Sequence, residues 1–178
     1  MPQVLTPDLC VIGGGSGGLS AAAIAAAFGV PVVLIERGKM GGECLNNGCV
    51  PSKALLAAAK RAYEIRDSAK FGIRVGEMSI DYKGVAAHVQ GVVDAIAPND
   101  SVERFNGLGV EVIKATARFT DKNTVEAGDY QVRARRFIIA TGSAPLIPPI
   151  PGLDRIRYFT NETIFANKHR ISHLIIIG

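Results

Sequence analysis

From Leu9 to Ile35 the chain carries no charged residue, and the run GGGSGG, residues 13–18, sits inside that stretch. This feature limits the fold more than any other. An uncharged run of this length is long enough for a transmembrane helix. The glycine loop and Pro31 break it, and turn-forming residues mark its ends. It divides instead into a short apolar strand at Leu9–Ile12, an alanine-rich helix over Leu19–Phe28 stopped by Gly29, and a second buried strand at Val32–Ile35. Strand, glycine turn, helix and strand in so short a span make a βαβ unit, and hence a parallel sheet. Hydrophobic residues form 48% of the 178. That is enough to bury a substantial core, so neither a membrane span nor disorder is expected.

Further along, Ala, Leu, Lys and Arg dominate from about Cys49 to Ala69 and predict a helix. A second helical region follows Asp81 and breaks at Pro98. It restarts at Asp100, whose side chain is placed to cap, with Glu103 completing a capping box. From Val110 to Ile139 the runs VEVIKA, ATARFT, NTVEA, YQVRA and RFIIA predict a small antiparallel meander that returns to the main sheet. APLIPPIPG, residues 144–152, reads as a linker. The chain then ends in HLIIIG, an apolar strand running into Gly178 that repeats the pattern of VIGGG. A length of 178 suits one domain, or one domain and the start of another. The sequence is therefore expected to be the first part of a longer protein.

Gly13, Gly15 and Gly18 fit G-x-G-x-x-G after a strand and before a helix. The first glycine permits the tight turn, the second lets a pyrophosphate approach the backbone, and the third lets helix pack on sheet. The helix N-terminus that follows supplies amide donors, and Ser16 and Gly17, inside the glycine run, are cofactor-binding candidates with it. Glu36 closes the second strand where an acid accepts hydrogen bonds from a ribose, with Arg37 beside it. The fingerprint does not by itself separate FAD from NAD.

GGECLNNGCVPSK, residues 41–53, holds Cys44 and Cys49. Zinc needs four ligands, and there is no second cysteine pair, while His88, His169 and His173 lack ligand spacing. No metal site is expected. The odd count of three cysteines, and an opening MPQVLTPDLC without a basic region, point to a cytoplasmic and reduced protein, which disfavours a static bridge. Position favours redox chemistry. Cys49 opens a helix, where the dipole stabilises a thiolate, and Lys53 lies one turn on along the same face. Cys10, inside the first strand, is expected to be a small buried hydrophobe.

GGGSGG with Glu36, then GGECLNNGCVPSK, then ATGS at 140–143 together resemble the flavin disulfide reductases, the family of dihydrolipoamide dehydrogenase, glutathione reductase and mercuric reductase. The resemblance spans residues 8 to 178 and implies a Rossmann-like FAD-binding domain, an α/β fold with a parallel sheet, helices and a small antiparallel meander. It places that domain at residues 1–148, with a linker and the first strand of a truncated NAD(P)-binding domain at 149–178. By position, Gly13, Gly15 and Gly18 would face the FAD pyrophosphate and Glu36 the adenosine ribose. Gly42, Glu43 and the start of the cysteine loop would lie along the cofactor. Cys49 would be the sulfur against the flavin and Cys44 the one that exchanges with substrate. Lys53 would sit at the flavin edge, Ala117 at the adenine, and Ala140, Thr141 and Gly142 in the second flavin motif.

The implied activity is FAD-dependent NAD(P)H:disulfide oxidoreduction, with a small-molecule or lipoyl disulfide as partner and dihydrolipoamide the first expectation, in a homodimer. A mercuric-reductase-like enzyme is the alternative, and a flavin-binding piece without turnover is another. The 178 residues by themselves are expected to be inactive. Two departures from the family pattern stand out. Glu43 replaces a threonine, bringing a carboxylate near the phosphates and a reason for the Cys44 thiol pKa to rise. Asn47 replaces an apolar residue. RARR, residues 133–136, lacks interleaved aromatics and is read as a solvated sheet edge, so no nucleic-acid partner is expected.

Overall fold

Short strands that are apolar at every position, as LCVI and VVLI are, must be covered on both faces. The computed structural model describes residues 2–178 and meets that demand with two four-stranded sheets and helices; Met1 lies outside the described residues. The strands are β1 (Gln3–Leu5), β2 (Leu9–Ile12), β3 (Val32–Ile35), β4 (Val110–Ile113), β5 (Ala117–Asp121), β6 (Thr124–Ala127), β7 (Tyr130–Arg133) and β8 (Arg136–Ile139). The helices are α1 (Ser16–Ala27), α2 (Gly42–Asn46), α3 (Cys49–Asp67), α4 (Tyr82–Ile96) and α5 (Val102–Gly107). The central sheet is wholly parallel in the order β4-β3-β2-β8. This is the Rossmann-like α/β fold expected from the βαβ pattern.

Alternation along the central strands builds two cores. Val11, Val32 and Leu34 point to one side, where Leu19 and Ala22 of α1 and Phe105 of α5 cover them. Cys10, Ile12, Val33 and Ile35 point to the other, against Val125, Ala127 and Val132 of the second sheet. Full burial of a side chain such as Leu34 stabilises the fold by about 1.5–3 kcal/mol. The many alanines of α1 let its backbone approach the sheet, and Gly29, at φ 73°, ends the helix.

The structure differs from the sequence reading in four places. Helix α1 starts at Ser16 rather than Leu19, because Gly15 already serves as its N-cap. The cap of α5 is Ser101, whose hydroxyl accepts from the amide of Arg104 at 3.1 Å. Asp100 instead ends the preceding 3₁₀ turn, Ala97–Asp100, so the Asp100–Glu103 capping box does not form. Val110–Ile113 joins the parallel sheet beside β3, leaving β5, β6 and β7 as the antiparallel part. That second sheet gains β1, paired in parallel with β7, and so also has four strands. Finally, Leu174–Ile177 is exposed and forms no strand, since no described segment pairs with it. A strand's ladder needs a neighbour.

Helices α3 and α4 pack on each other and on α2, burying Pro51 and Ala54 from one and Val89 and Val93 from the other. His88 is exposed on α4. Beyond the linker, a 3₁₀ turn at Ile164–Ala166 packs against α4.

Candidate functional site

The glycine loop connects β2 to α1, and its residues differ in what they are needed for. At Gly13, φ is 112° and an added Cβ would lie 2.1 Å from the Ala140 carbonyl oxygen. At Gly18 it would lie 1.8 Å from the Gly13 carbonyl oxygen. These two are demanded by the fold. At Gly15 the nearest atom would be the Gly42 Cα at 3.6 Å, an ordinary contact, and at Gly17 nothing lies within 4 Å. The protein's own packing therefore does not require glycine at 15 or 17, whereas a diphosphate approaching the backbone would require it at 15. With Gly15 as N-cap and no side chain capping α1, the first-turn amides of Ser16, Gly17 and Gly18 have no acceptor one turn back within the helix, and Ser16 and Gly17 are exposed as donors. This donor set fits a diphosphate.

Glu36, at the end of β3, is tied into the loop. Its Oε2 accepts from the Gly14 amide at 2.6 Å and its Oε1 from the Gly38 amide. Lys114 Nζ donates to the Gly38 carbonyl from beyond β4. A cleft of about 420 Å³ opens here, lined by Gly13, Glu36, Arg37, Ala117, Thr141 and Gly142, with Glu162 completing it. Six residues singled out from distant parts of the sequence thus meet in one cavity. Glu162 was not foreseen, and neither was Lys114, because no local motif marks either.

Gly42 carries the site from the cleft to the cysteines. Its φ is 57°, and a Cβ there would meet the Gly15 Cα at 2.5 Å, so the cysteine loop is pressed onto the glycine loop. Asn46 locks it with two hydrogen bonds from Nδ2, to the Met40 carbonyl at 3.0 Å and the Gly42 carbonyl at 2.8 Å. Cys44 lies within α2 and is half-buried, while Cys49 opens α3 and is exposed; both are free thiols. A hydrogen bond between their side chains favours protonated Cys44 and raises its pKa, and burial adds to the rise. The charge of Lys53, exposed one turn into α3, acts the other way. Glu43 is not behind the rise. Its carboxylate is engaged by Asn161, whose Nδ2 donates to Oε1 at 2.8 Å. Asn47 caps α2, its amide donating to the Glu43 carbonyl. Cys10 is fully buried and its thiol is pushed up to about 12 by desolvation.

Among the described residues no three His, Cys, Asp or Glu side chains gather closely enough to hold a metal ion, and no helix is long and apolar enough to cross a membrane. The fold and site together define a Rossmann-type α/β protein with a paired-thiol centre. The family model for pyridine nucleotide-disulphide oxidoreductases matches residues 7–178, and the chain belongs to that family. A mercuric reductase from Streptomyces lividans is 37% identical over 177 residues, covering 96% of this chain and 37% of the relative. A dihydrolipoyl dehydrogenase from Acholeplasma laidlawii is 35% identical over 176 residues, covering 96% and 52%. A glutathione reductase from Nostoc sp. is 33% identical over 171 residues, covering 96% and 37%. The chain thus spans between 37% and 52% of the length of these three relatives.

Proposed function

We propose that this chain is the FAD-binding, thiol-bearing part of an NAD(P)-linked disulfide oxidoreductase. The observation that carries the reading is the contact of Gly42 with Gly15, which joins the loop bearing the free thiols Cys44 and Cys49 to a diphosphate-compatible loop and cleft. Residues 1–148 form the cofactor domain, and 149–178 lead into the nicotinamide-binding part. The whole protein acts as a homodimer in the cytoplasm.

In the oxidised state Cys44 and Cys49 share a disulfide. A substrate thiolate attacks the Cys44 sulfur, the S–S bond breaks, and Cys49 leaves as a thiolate with the Lys53 cation one turn away. The second substrate thiol then displaces Cys44 and passes its proton to it, giving the substrate disulfide, a Cys44 thiol and the Cys49 thiolate, so the pair has gained two electrons. The raised pKa of Cys44 beside Cys49 keeps that proton on Cys44. Gly15, Ser16, Gly17 and Gly18 would hold the diphosphate of FAD, Glu36 its ribose, and Ala117, Thr141 and Gly142 the walls of its adenosine end. FAD bound there would supply the two-electron carrier between the thiol pair and NAD(P).

The preferred substrate is a small or lipoyl dithiol such as dihydrolipoamide. The 37% identity to a mercuric reductase supports a second reading, in which the thiolates present Hg²⁺ for reduction. Assay of the intact protein with NADH and NADPH decides among lipoamide, oxidised glutathione and thiol-bound Hg²⁺. A purified protein that takes up no flavin, or whose Cys49→Ser variant keeps full disulfide activity, sinks the proposal.

A further inference from the structure

Two adjacent residues beyond the proline-rich linker reach separate parts of the site. Asn161 donates to Glu43 at 2.8 Å, one residue from Cys44, across 118 positions of sequence. Glu162 lines the cleft together with Glu36 and Thr141. The backbone that presents them is a tight turn. The amides of Thr163 and Ile164 donate to the Thr160 carbonyl at 3.1 and 2.9 Å. The Thr160 amide donates to the Thr163 hydroxyl at 2.9 Å, and the Glu162 amide to the Thr160 hydroxyl at 3.2 Å. The turn is anchored where Ile164–Ala166 packs on α4, with Ile164 and Phe165 half-buried. Residues 144–147, by contrast, are exposed. The chain leaves the domain and comes back to it at a built turn.

We propose that Asn161 and Glu43 form a clasp that fastens the 160–166 turn over the dinucleotide cleft, making both of them positioning residues for the cysteine loop and the bound cofactor. The inference rests on reading the cleft as the flavin site. It also gives the Glu43 carboxylate a role. Unengaged and next to Gly42, that charge opposes a bound diphosphate; held by a neutral amide, it is fixed to the turn and closes the site. The segment leading onward from the domain is thereby tied to the residue before the exchanging thiol.

The test uses the intact protein as wild type, Asn161→Ala, Glu43→Ala and the double variant. FAD release is followed by recovery of flavin fluorescence on dilution, and the 159–167 segment by amide hydrogen exchange. Asn161→Ala is expected to speed release by about tenfold, the size of one hydrogen bond to a charged group, and to raise exchange across the turn. Glu43→Ala speeds release too, and the double variant is no worse than Asn161→Ala. Unchanged release and exchange in both single variants overturns the clasp, as does slower release in Glu43→Ala or additive effects in the double variant. If the wild type takes up no FAD, the function proposed above falls, while the exchange comparison still decides the clasp.

Discussion

The glycine loop allows ligand-binding and fold-building roles to be separated by two matched substitutions, Gly15→Ala and Gly18→Ala. At Gly18 the new methyl would lie 1.8 Å from the Gly13 carbonyl oxygen, a backbone atom of β2's end that no rotamer change can move. Relief requires a shift of about 1.5 Å between helix and strand to reach normal contact, and overpacking of this kind costs about 1–3 kcal/mol or more. At Gly15 the methyl meets only the Gly42 Cα at 3.6 Å, and φ is −86°, open to any residue. The cost to the fold is then limited to exchanging Gly for Ala at an N-cap, about 1 kcal/mol or less. For a domain of this size 1 kcal/mol corresponds to about 2–4 °C. Thermal unfolding without flavin should therefore fall by about 3–10 °C for Gly18→Ala and by no more than about 4 °C for Gly15→Ala. Flavin binding should show the reverse ordering: Gly15→Ala loses at least about tenfold in affinity because its methyl occupies the diphosphate's approach. Titration of the apoprotein with FAD measures it. Equal Tm losses in the two variants, or wild-type affinity in Gly15→Ala, would refute the reasoning.

Three further outcomes follow from the site and the core. Cys10 is protonated in the fold up to about 12 against 9.0 in an exposed thiol, so its stabilising contribution is complete below pH 9 and lost as pH rises toward 12, about 4 kcal/mol in all at roughly 1.4 kcal/mol per unit. Denaturant titrations between pH 8 and 11 should show Cys10→Ala flattening that alkaline decline; an unaltered slope would count against it. Asn46→Ala removes two hydrogen bonds from the cysteine loop, which should cost about 1–3 kcal/mol and raise the alkylation rate of Cys44, read by mass spectrometry. Cys49→Ala removes the largest cause of the raised Cys44 pKa, so the pH midpoint of Cys44 alkylation should move downward; a midpoint that stays or rises contradicts the hydrogen bond.

The βαβ unit was legible because its signals are local: LCVI and VVLI are apolar throughout, and the glycines at 13–15 break the run between strand and helix. Cys10 could be placed in the core for the same reason. What escaped was whatever depends on a distant partner. Val110–Ile113 looks like the other β runs around it, and only its pairing with β3 separates it from the meander. β1 is three residues long, too short to show a period, and exists because β7 offers an edge. Ser101 and Asp100 are both competent caps, and Pro98 decided between them by drawing Asp100 into a 3₁₀ turn. In the site, Gly13, Glu36, Arg37 and Thr141 carried recognisable spacing, but Glu162, Lys114 and Asn161 carried none. The rise in the Cys44 pKa was anticipated with the wrong cause, because sequence adjacency pointed to Glu43 and geometry gave the effect to Cys49.

The position of β8 has a consequence for how the chain is made. β2 takes one neighbour, β3, within a few turns of synthesis, but its other neighbour pairs Leu9 with Arg136. A ribosome adding about 5–20 residues per second needs on the order of ten seconds to deliver that strand. Throughout that interval β2, an interior strand of the eventual sheet, has a bare edge and one uncovered apolar side, the condition under which nascent chains associate with each other or recruit chaperones. Substitutions in Arg136–Ile139 that slow docking should therefore reduce the yield of folded protein in the cell more than they lower the stability of the molecules that reach it.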